Sequence, residues 1–179
     1  MAHVLETARL ILREWSESDI PELLPLIGAR EVAATTLRIP HPYEEKHARE
    51  FLASVAKENE LRMAIRLLND NRLVGGIGLH PEMLHRRAEL GYWIGAPFWG
   101  NRYATEAGRE IVRYGFEEFQ LKRIFATVFA GNQASERVLA KIGMQHEGCM
   151  RQAVLKWGKF LDVELYSILR EEYAPSKLN

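Results

Sequence analysis

The chain has 179 residues, and its 24 lysine and arginine residues balance 24 aspartate and glutamate residues, so the formal net charge is zero. The length fits one domain with a substantial core, and the balanced charge gives no overall field that would attract a nucleic acid or a membrane. The single cysteine, Cys149, excludes intrachain disulfides and metal sites of the Cys-x-x-Cys kind.

The N-terminal residues show no basic segment followed by a long apolar run, and no stretch approaches the length of a membrane span. We therefore expect a cytoplasmic protein, a monomer or a homodimer, without a membrane or nucleic-acid partner. The six histidines lack the spacing of metal ligands, so no metal is predicted.

The first half of the chain predicts five elements, in which apolar residues alternate along strands and recur at helical spacing along helices. In chain order they are a strand over 9–15, a helix over 20–27, a helix over 44–59 and a hairpin of two strands over 61–68 and 72–80. Ser18 is predicted to cap the first helix. Because two prolines flank His41, residues 40–43 are predicted to be a turn or an extended segment.

Gly75, Gly76 and Gly78 lie in the second strand of this hairpin and resemble part of a dinucleotide-binding loop. Pro81 follows them instead of a helix pattern, so the requirement of that loop is not met. We predict a packed strand that a helix crosses closely.

The second half predicts strands and helices in alternation. They are a strand over 87–94, a helix over 104–119, a strand over 123–129, a helix over 132–142 and two strands over 144–155 and 160–169. The strand over 123–129 has almost no polar residue, which predicts burial on both of its faces. Residues 174–179 are predicted to be a loose tail. The order of elements predicts one layered α/β domain over 1–179 with a mixed, mostly antiparallel sheet.

The turn at 99–104 joins the strand over 87–94 to the helix over 104–119. A helix entered in this way presents backbone N–H groups without partners and the positive end of its dipole, so a phosphate can bind there. Gly100 permits a close approach. An ordinary strand-to-helix turn containing one glycine is the alternative.

Two motifs around this turn, Tyr92-Trp93-Ile94 and the run from Trp99 to Ala107, resemble the GNAT-family N-acetyltransferases, and most of all the ribosomal-protein-alanine acetyltransferases. The resemblance implies an α/β (α+β) fold, a GNAT-like single domain with a central sheet splayed at its central strands and flanked by helices. It also implies that main-chain amides of the turn bind the pyrophosphate of acetyl-CoA, with no metal. The implied cofactor-binding residues are Trp93, Ile94, Trp99, Gly100, Asn101, Arg102, Tyr103, Ala104, Thr105, Asn132 and Ser135.

Arg102 departs from the general GNAT turn, which has a glycine at this position. The substitution leaves the main-chain amides in place. It raises the question of whether the turn needs a positive φ there, because a residue with a side chain resists that conformation.

Asn132 and Ser135 stand three residues apart at the start of a predicted helix. Asn132 is expected to cap this helix by accepting the amide of Ser135. The resemblance implies a second role, in which both residues contact the pantetheine arm and Ser135 acts as the general acid near the sulfur.

A carboxylate is expected to be the general base, because a primary amine is mostly protonated near pH 7 and must lose a proton before it attacks. The resemblance implies Glu147 as this base, with a solvated surface glutamate as the alternative. Glu89, on the strand before the turn, is the rival base. Strand alternation predicts that His146 and Glu147 point to opposite faces of the sheet. We interpret Cys149 as a small core residue, because His146 on the same face has no evident acidic partner.

The resemblance therefore implies an acetyl-CoA-dependent N-acetyltransferase that uses direct attack in a ternary complex. The acceptor is a primary amine, either a protein α-amino group or a small molecule such as an antibiotic. A non-catalytic acyl-CoA sensor is a further alternative. The segments expected to select the acceptor are 40–43, 83–86 and Trp157, because loops on a rigid scaffold usually set specificity.

Overall fold

The strands form one eight-stranded sheet in the order β1-β2-β3-β4-β5-β6-β8-β7, in a computed structural model that describes residues 4–55 and 60–173. The strands are β1 (Val4–Glu6), β2 (Leu10–Glu14), β3 (Leu61–Leu67), β4 (Leu73–Glu82), β5 (Arg87–Ile94), β6 (Arg123–Phe129), β7 (Gln145–Lys156) and β8 (Lys159–Leu169). The helices are α1 (Ile20–Ile27), α2 (Arg30–Ala34), α3 (Glu45–Val55), α4 (Tyr103–Glu117) and α5 (Gln133–Ile142).

The sheet is antiparallel at every pairing except the one between β5 and β6, which is parallel. This parallel pairing spans only Arg87 to Glu89 on β5 and Arg123 to Phe125 on β6. Beyond these residues β5 pairs only with β4, and β6 pairs only with β8. The predicted mixed, mostly antiparallel sheet, splayed at its central strands, is therefore confirmed.

Helices pack on both faces of the sheet and divide the core in two. One cluster joins α4 and α5, through residues such as Ile111, Phe116 and Leu139, to the sheet. A smaller cluster joins α1 and α3, through Leu23 and Ala48, to the other face. Burying a large apolar side chain contributes about 1.5–3 kcal/mol, so both clusters hold their helices firmly around the sheet.

Most predicted elements are confirmed within a few residues, and the first helix corrects the predicted cap. Ser16 precedes a short 3-10 turn, and its amide donates to Asp19 Oδ2 at 2.9 Å, whereas the Ser18 hydroxyl contacts only that of Ser16. The structure also adds β1 and α2, which the sequence pattern did not predict. Two predictions, the end of the second helix over 56–59 and the loose tail over 174–179, lie outside the described residues.

Strand β6 corrects the prediction of burial on both faces. Ile124, Ala126 and Val128 are buried, whereas Thr127 on the other face is exposed. The exposed face of β6 borders a cavity, so apolar composition alone overstated how much of the strand is covered.

Helices α1 and α4 both pack across β4, as predicted, but the atoms closest to its glycines Gly75 and Gly78 belong to the neighbouring strands. A Cβ on Gly75 would lie 2.2 Å from the Trp93 carbonyl oxygen, and one on Gly78 would lie 2.3 Å from the Leu61 carbonyl oxygen. The neighbouring strands β5 and β3 therefore exclude a side chain at these positions.

Candidate active site

A cavity of about 660 Å³ lies beside the gap where β5 and β6 part. Its walls include Glu89 and Trp93 of β5 as well as Tyr92 between them. Successive side chains of a strand point to opposite faces of the sheet, and Trp93 packs on the α1–α3 cluster whereas Tyr92 packs on the α4–α5 cluster. The cavity therefore passes through the sheet and reaches Ser135 of α5 on the far side.

Two hydroxyl groups line the α5 side of this cavity. Tyr92 Oη and Ser135 Oγ lie 2.6 Å apart and share a hydrogen bond. The Ser135 amide donates to Asn132 Oδ1 at 3.3 Å, which confirms the predicted cap. Burial raises the pKa of Tyr92 to about 12, although its hydrogen bond with Ser135 acts in the opposite direction. The phenol is therefore protonated at neutral pH and can donate a proton.

Proton acceptors line the α1–α3 side. Glu89 and His80 are direct neighbours across the β4–β5 ladder, and both line the cavity. Thr127 Oγ1 donates to Glu89 Oε1 at 3.2 Å, and Arg38 Nη2 donates to Glu89 Oε2 at 3.0 Å. Burial, and then the charge of Arg38, lowers the pKa of His80. The imidazole is therefore neutral at pH 7 and, like Glu89, can accept a proton.

Glu147, the base that the resemblance implies, lies on β7 and is not among the described residues that line the cavity. Arg123 donates to its two oxygens at 2.6 and 2.5 Å, and Ser167 Oγ donates to Oε1 at 2.5 Å. These bonds, with Arg123 as the larger cause, lower the pKa of Glu147 to about 2. A carboxylate of such low pKa accepts protons poorly, so the geometry favours Glu89 over Glu147.

The surroundings of β7 confirm one prediction and correct another. His146 Nε2 lies 2.6 Å from Glu164 Oε2, on the face opposite to Glu147, as strand alternation predicts. The interpretation of Cys149 as a core residue is wrong, because this side chain is exposed. Glu164 is also the acidic partner of His146 that the sequence did not show. Partial desolvation by neighbouring groups and the contact with Glu164 raise the pKa of the Cys149 thiol, which makes it a poor nucleophile.

The turn before α4 has the geometry of an anion-binding site. Arg102 adopts the left-handed conformation with φ of 66°, and Gly100 has φ of 80°, so the turn does require positive φ at the position of the motif glycine. A non-glycine residue in this region costs about 1 kcal/mol. No side chain caps the start of α4, and the amides of Tyr103, Ala104 and Thr105 have no acceptor within the helix. These amides could hold a diphosphate.

Arg9, just before β2, stabilises this turn through hydrogen bonds. Arg9 Nη2 donates to the Asn101 carbonyl oxygen at 3.1 Å, and Arg9 Nε donates to Glu106 Oε2 at 2.7 Å. Thr7 Oγ1 donates to Glu106 Oε1 at 2.6 Å. The Asn101 side chain donates to the Phe98 carbonyl oxygen at 3.0 Å. The strained turn is thus fixed by hydrogen bonds on both sides, and Arg9 adds a positive charge beside it.

Ile94 presents its backbone groups to the gap. The Gly95 amide donates to the Val74 carbonyl oxygen on β4 at 2.9 Å, so the preceding residue points its N–H and C=O to the other edge of β5. The Ile94 carbonyl oxygen accepts a hydrogen bond from Trp99 Nε1 at 2.7 Å. The Ile94 amide on the same edge is a donor available to an oxyanion.

Trp93 belongs to the α1–α3 side of the cavity. Its ring stacks on Trp15 with a centroid distance of 6.4 Å and an interplanar angle of 14°. A Cβ on Gly76 would lie 2.7 Å from Trp93 Nε1 and 2.8 Å from Trp15 Cζ2. Glycine at this position therefore makes room for the two indoles that form part of the cavity wall.

The segments expected to select the acceptor lie in different places. Pro40 and Tyr43 line the cavity, whereas residues 83–86 and Trp157 are not among the lining residues. Trp157 instead contacts His41 with ring centroids 6.1 Å apart. Lys156, beside it in the β7–β8 hairpin, is buried and donates to the carbonyl oxygens of Leu37 and Ile39.

Within 4–55 and 60–173, no group of three or more His, Cys, Asp or Glu side chains is placed to hold a metal ion. No helix in these ranges has the length and hydropathy needed to cross a membrane.

A central parallel pair splays beside a helix N-terminus, with proton acceptors on one side of the sheet and hydroxyls on the other. Residues 9–145 match the family model described as "Acetyltransferase (GNAT) domain". The protein therefore belongs to the GNAT acetyltransferase family and is an N-acetyltransferase that uses acetyl-CoA.

Relatives agree with this assignment over most of the chain. "Uncharacterized N-acetyltransferase YoaA" of Bacillus subtilis (strain 168) is 36% identical over 174 residues, which cover 95% of this chain and 98% of YoaA. YdaF of the same organism, named for a proposed role as a ribosomal N-acetyltransferase, is 38% identical over 112 residues, or 62% of this chain and 61% of YdaF. A crystal structure of a GNAT-family acetyltransferase from Bacillus anthracis is 27% identical, with a TM-score of 0.85 over 94% of this chain and 99% of that one.

Sequence reasoning did not assign a site role to three of these residues. Tyr92 stood within a recognised motif, but only the fold brings its hydroxyl to Ser135. For His80, the available signal was its position near the turn between two adjacent predicted strands, which places it opposite Glu89 when the strands pair. Arg38 had no sequence signal, because it lies in a segment without a clear pattern.

Proposed function

We propose that the protein transfers the acetyl group of acetyl-CoA to a primary amine that enters the cavity from the α1–α3 side. The observation that carries this proposal is the continuity of the cavity through the gap between β5 and β6, with Glu89 lining it on the α1–α3 side and Ser135 on the α5 side. An amine and a thioester entering from opposite faces of the sheet would meet in this gap. Holding two reactants in this way supplies much of the rate of such a reaction.

Glu89 is the proposed general base. The amine arrives as an ammonium ion, and Glu89 removes a proton from it directly or through a water molecule. The free amine then attacks the thioester carbonyl, so that a carbon–nitrogen bond forms and the carbon–sulfur bond breaks. The nitrogen loses its second proton as the tetrahedral intermediate collapses to the amide. That proton restores, through solvent, the hydroxyl that protonates the leaving thiolate, and the proton on Glu89 passes to solvent.

The Tyr92 and Ser135 hydroxyl pair is the proposed proton donor to the departing thiolate. A thiol has a reference pKa of about 8.5, so its thiolate leaves readily and requires only modest assistance. The Ile94 amide, which faces the gap, is the proposed donor to the oxyanion of the tetrahedral intermediate.

The turn from Trp99 to Thr105 is the proposed binding site for the diphosphate of the coenzyme. The free amides at the start of α4 and the dipole of this 15-residue helix favour an anion there. Arg9, whose charge is paired with Glu106, holds the Asn101 carbonyl oxygen of the turn. The proposed roles of Asn132 and Ser135 as contacts of the pantetheine arm agree with the position of Ser135 at the far end of the cavity.

A protein α-amino group is the proposed acceptor, with a small amine as the alternative. The resemblance of the motifs to the ribosomal-protein-alanine acetyltransferases and the name of YdaF support the first choice. The segment carrying Pro40 and Tyr43 forms part of the cavity wall, where either acceptor would make contact.

A panel assay tests this function. Acetyl-CoA turnover is measured with peptides of varied N-terminal residue, amino acids and polyamines, while calorimetry measures the binding of CoA. We expect CoA to bind and at least one class of amine to be acetylated. Tight binding of CoA without transfer to any amine would contradict the proposal and favour an acyl-CoA sensor.

A further inference from the structure

Arg38 is the cation nearest to the proposed base. It lies in the segment between α2 and α3, lines the cavity, and donates from Nη2 to Glu89 Oε2 at 3.0 Å. The Arg38 side chain is 69% exposed, compared with 27% for Glu89. An ion pair with such an exposed partner contributes little to stability, so Arg38 can leave Glu89 at small cost.

The backbone around Arg38 is fixed by a buried lysine. Lys156 is 8% exposed, and its ammonium donates to the carbonyl oxygens of Leu37 at 3.4 Å and Ile39 at 3.0 Å. Burial lowers the pKa of Lys156, which shows that burying this charge is unfavourable. Lys156 thus fixes the backbone on both sides of Arg38. Neither hydrogen bond involves the Arg38 guanidinium, whose partner is Glu89.

The other arginine that lines the cavity is differently placed. Arg62 pairs with Glu60 and donates from Nη1 to Ser54 Oγ at 2.7 Å. Its partners lie away from Glu89, whereas the carboxylate partner of Arg38 is the proposed base itself. Among the described residues, the remaining charged or titratable side chains of the cavity wall are His47, Glu50, His80, Tyr43 and Tyr92.

An acceptor ammonium that binds Glu89 directly competes with Arg38 for the same carboxylate. Such an amine would displace the guanidinium into the cavity that Arg38 lines. A released guanidinium binds a carboxylate best, through paired hydrogen bonds. An acceptor that carries a carboxylate near its amine would satisfy both Glu89 and Arg38.

We propose that Arg38 is a specificity-determining residue that binds a carboxylate carried by the acceptor close to its amine. The proposal rests on the proposed function and names the class of acceptor for the same site. A free amino acid and a peptide with an acidic residue at or next to its N-terminus share this chemistry.

Paired acceptors test the proposal. Steady-state kcat/KM is measured for free amino acids against their amides, and for peptides beginning with Asp or Glu against peptides beginning with Asn or Gln. In the native protein we expect a preference for the carboxylate of about tenfold in at least one pair, the size of a charged hydrogen bond. The pair that shows it identifies the source of the carboxylate.

Variants assign the preference to Arg38. In Arg38→Gln we expect the ratio within that pair to fall to about one, and in Arg38→Glu we expect acceptors with a second cation to be favoured. The matched control is Arg72→Gln, because Arg72 is exposed, pairs with Asp70 and is not a lining residue. This control should keep the native ratio.

Two results would overturn the assignment in different ways. Equal use of both members of every pair, or a preference that survives Arg38→Gln, would remove the role of Arg38 and leave the acetyltransferase function intact. Transfer to no acceptor by the native protein would overturn the proposed function, and this assignment with it.

Discussion

Glu89 and Glu147 are both strand glutamates paired with an arginine, yet their surroundings differ. Arg123, the partner of Glu147, lies on strand β6 of the same sheet and donates to both carboxylate oxygens. Arg38, which holds Glu89, stands on a connecting segment and makes one contact of 3.0 Å. Glu147 is therefore fixed as a structural anion, whereas Glu89 can exchange its partner inside a cavity.

The role of each carboxylate depends on whether its arginine partner lies on a strand, as Arg123 does, or on a connecting segment, as Arg38 does. A cation on a strand has its backbone held in place by the ladder, so its side chain stays within reach of the same partner. A cation on an exposed segment can move without disturbing the fold. Only the second arrangement suits a group that must bind an ammonium ion and take its proton.

The largest expected effect is on kcat in Glu89→Gln. Loss of the general base should lower kcat by about 10²–10⁴-fold, with little change in the Kd for CoA, because Glu89 faces the acceptor side. Steady-state kinetics and calorimetry provide the measurements. The control is Glu147→Gln, which should keep kcat within about threefold, since Glu147 does not line the cavity. If Glu147→Gln lost rate and Glu89→Gln did not, Glu147 would be the base. If His80→Gln lost rate and Glu89→Gln did not, the base would be His80.

A smaller effect is expected from the hydroxyls across the gap from Glu89. Tyr92→Phe and Ser135→Ala should each lower kcat by roughly tenfold, because general acid assistance to a good leaving group is modest. The two losses should not add in the double variant, since the hydroxyls share one hydrogen bond. Additive losses, measured as kcat in the two single variants and the double variant, would show that the hydroxyls act separately.

Arg9 and Glu106 form a third pair, which extends the comparison to the coenzyme turn. Arg9→Ala should raise the Kd for CoA by about tenfold, because it removes both a charge and the hydrogen bond to the Asn101 carbonyl. At saturating acetyl-CoA, kcat should be unchanged. Calorimetry on Arg9→Ala, with Arg72→Gln as the control, would measure the shift in Kd. An unaltered Kd in Arg9→Ala would mean that CoA binding at the turn does not depend on Arg9.

The smallest expected effect is on stability through Glu147. Its pKa is lowered to about 2 in the folded protein, against about 4.3 for a free glutamate. The ion pair therefore stabilises the fold above about pH 4.3, and this contribution is lost as the pH falls towards 2. Because the Glu147 side chain is 36% exposed, we expect less than about 1 kcal/mol.

Denaturant titrations between pH 2 and pH 7 measure this contribution. Glu147→Gln should have a lower free energy of unfolding than the native protein near pH 7, and the difference should shrink in acid. Glu147→Gln that is as stable as the native protein at every pH would show that Arg123 gains nothing from this partner.

The sequence predicted the sheet and most of its elements because their signals are local. Runs of apolar and aromatic residues located β5 and β6, and the Asn132-x-x-Ser135 pattern located the start of α5. It missed α2 because this helix has only five residues, too few for a periodic pattern. The role implied for Glu147 followed from its neighbours in sequence, which carry no information about Arg123 on another strand.

The sequence by itself indicated the mixed sheet and the turn that presents free amides before α4, because repeating side-chain patterns and a contiguous motif encode them. The resemblance of that motif to a family implied the splay of the sheet. Only the tertiary structure brought Tyr92 to Ser135 and Arg38 to Glu89, and only it placed Arg123 against Glu147. These pairs join residues that are 43, 51 and 24 positions apart in the chain. Such contacts depend on how the strands and segments pack, which no local pattern specifies.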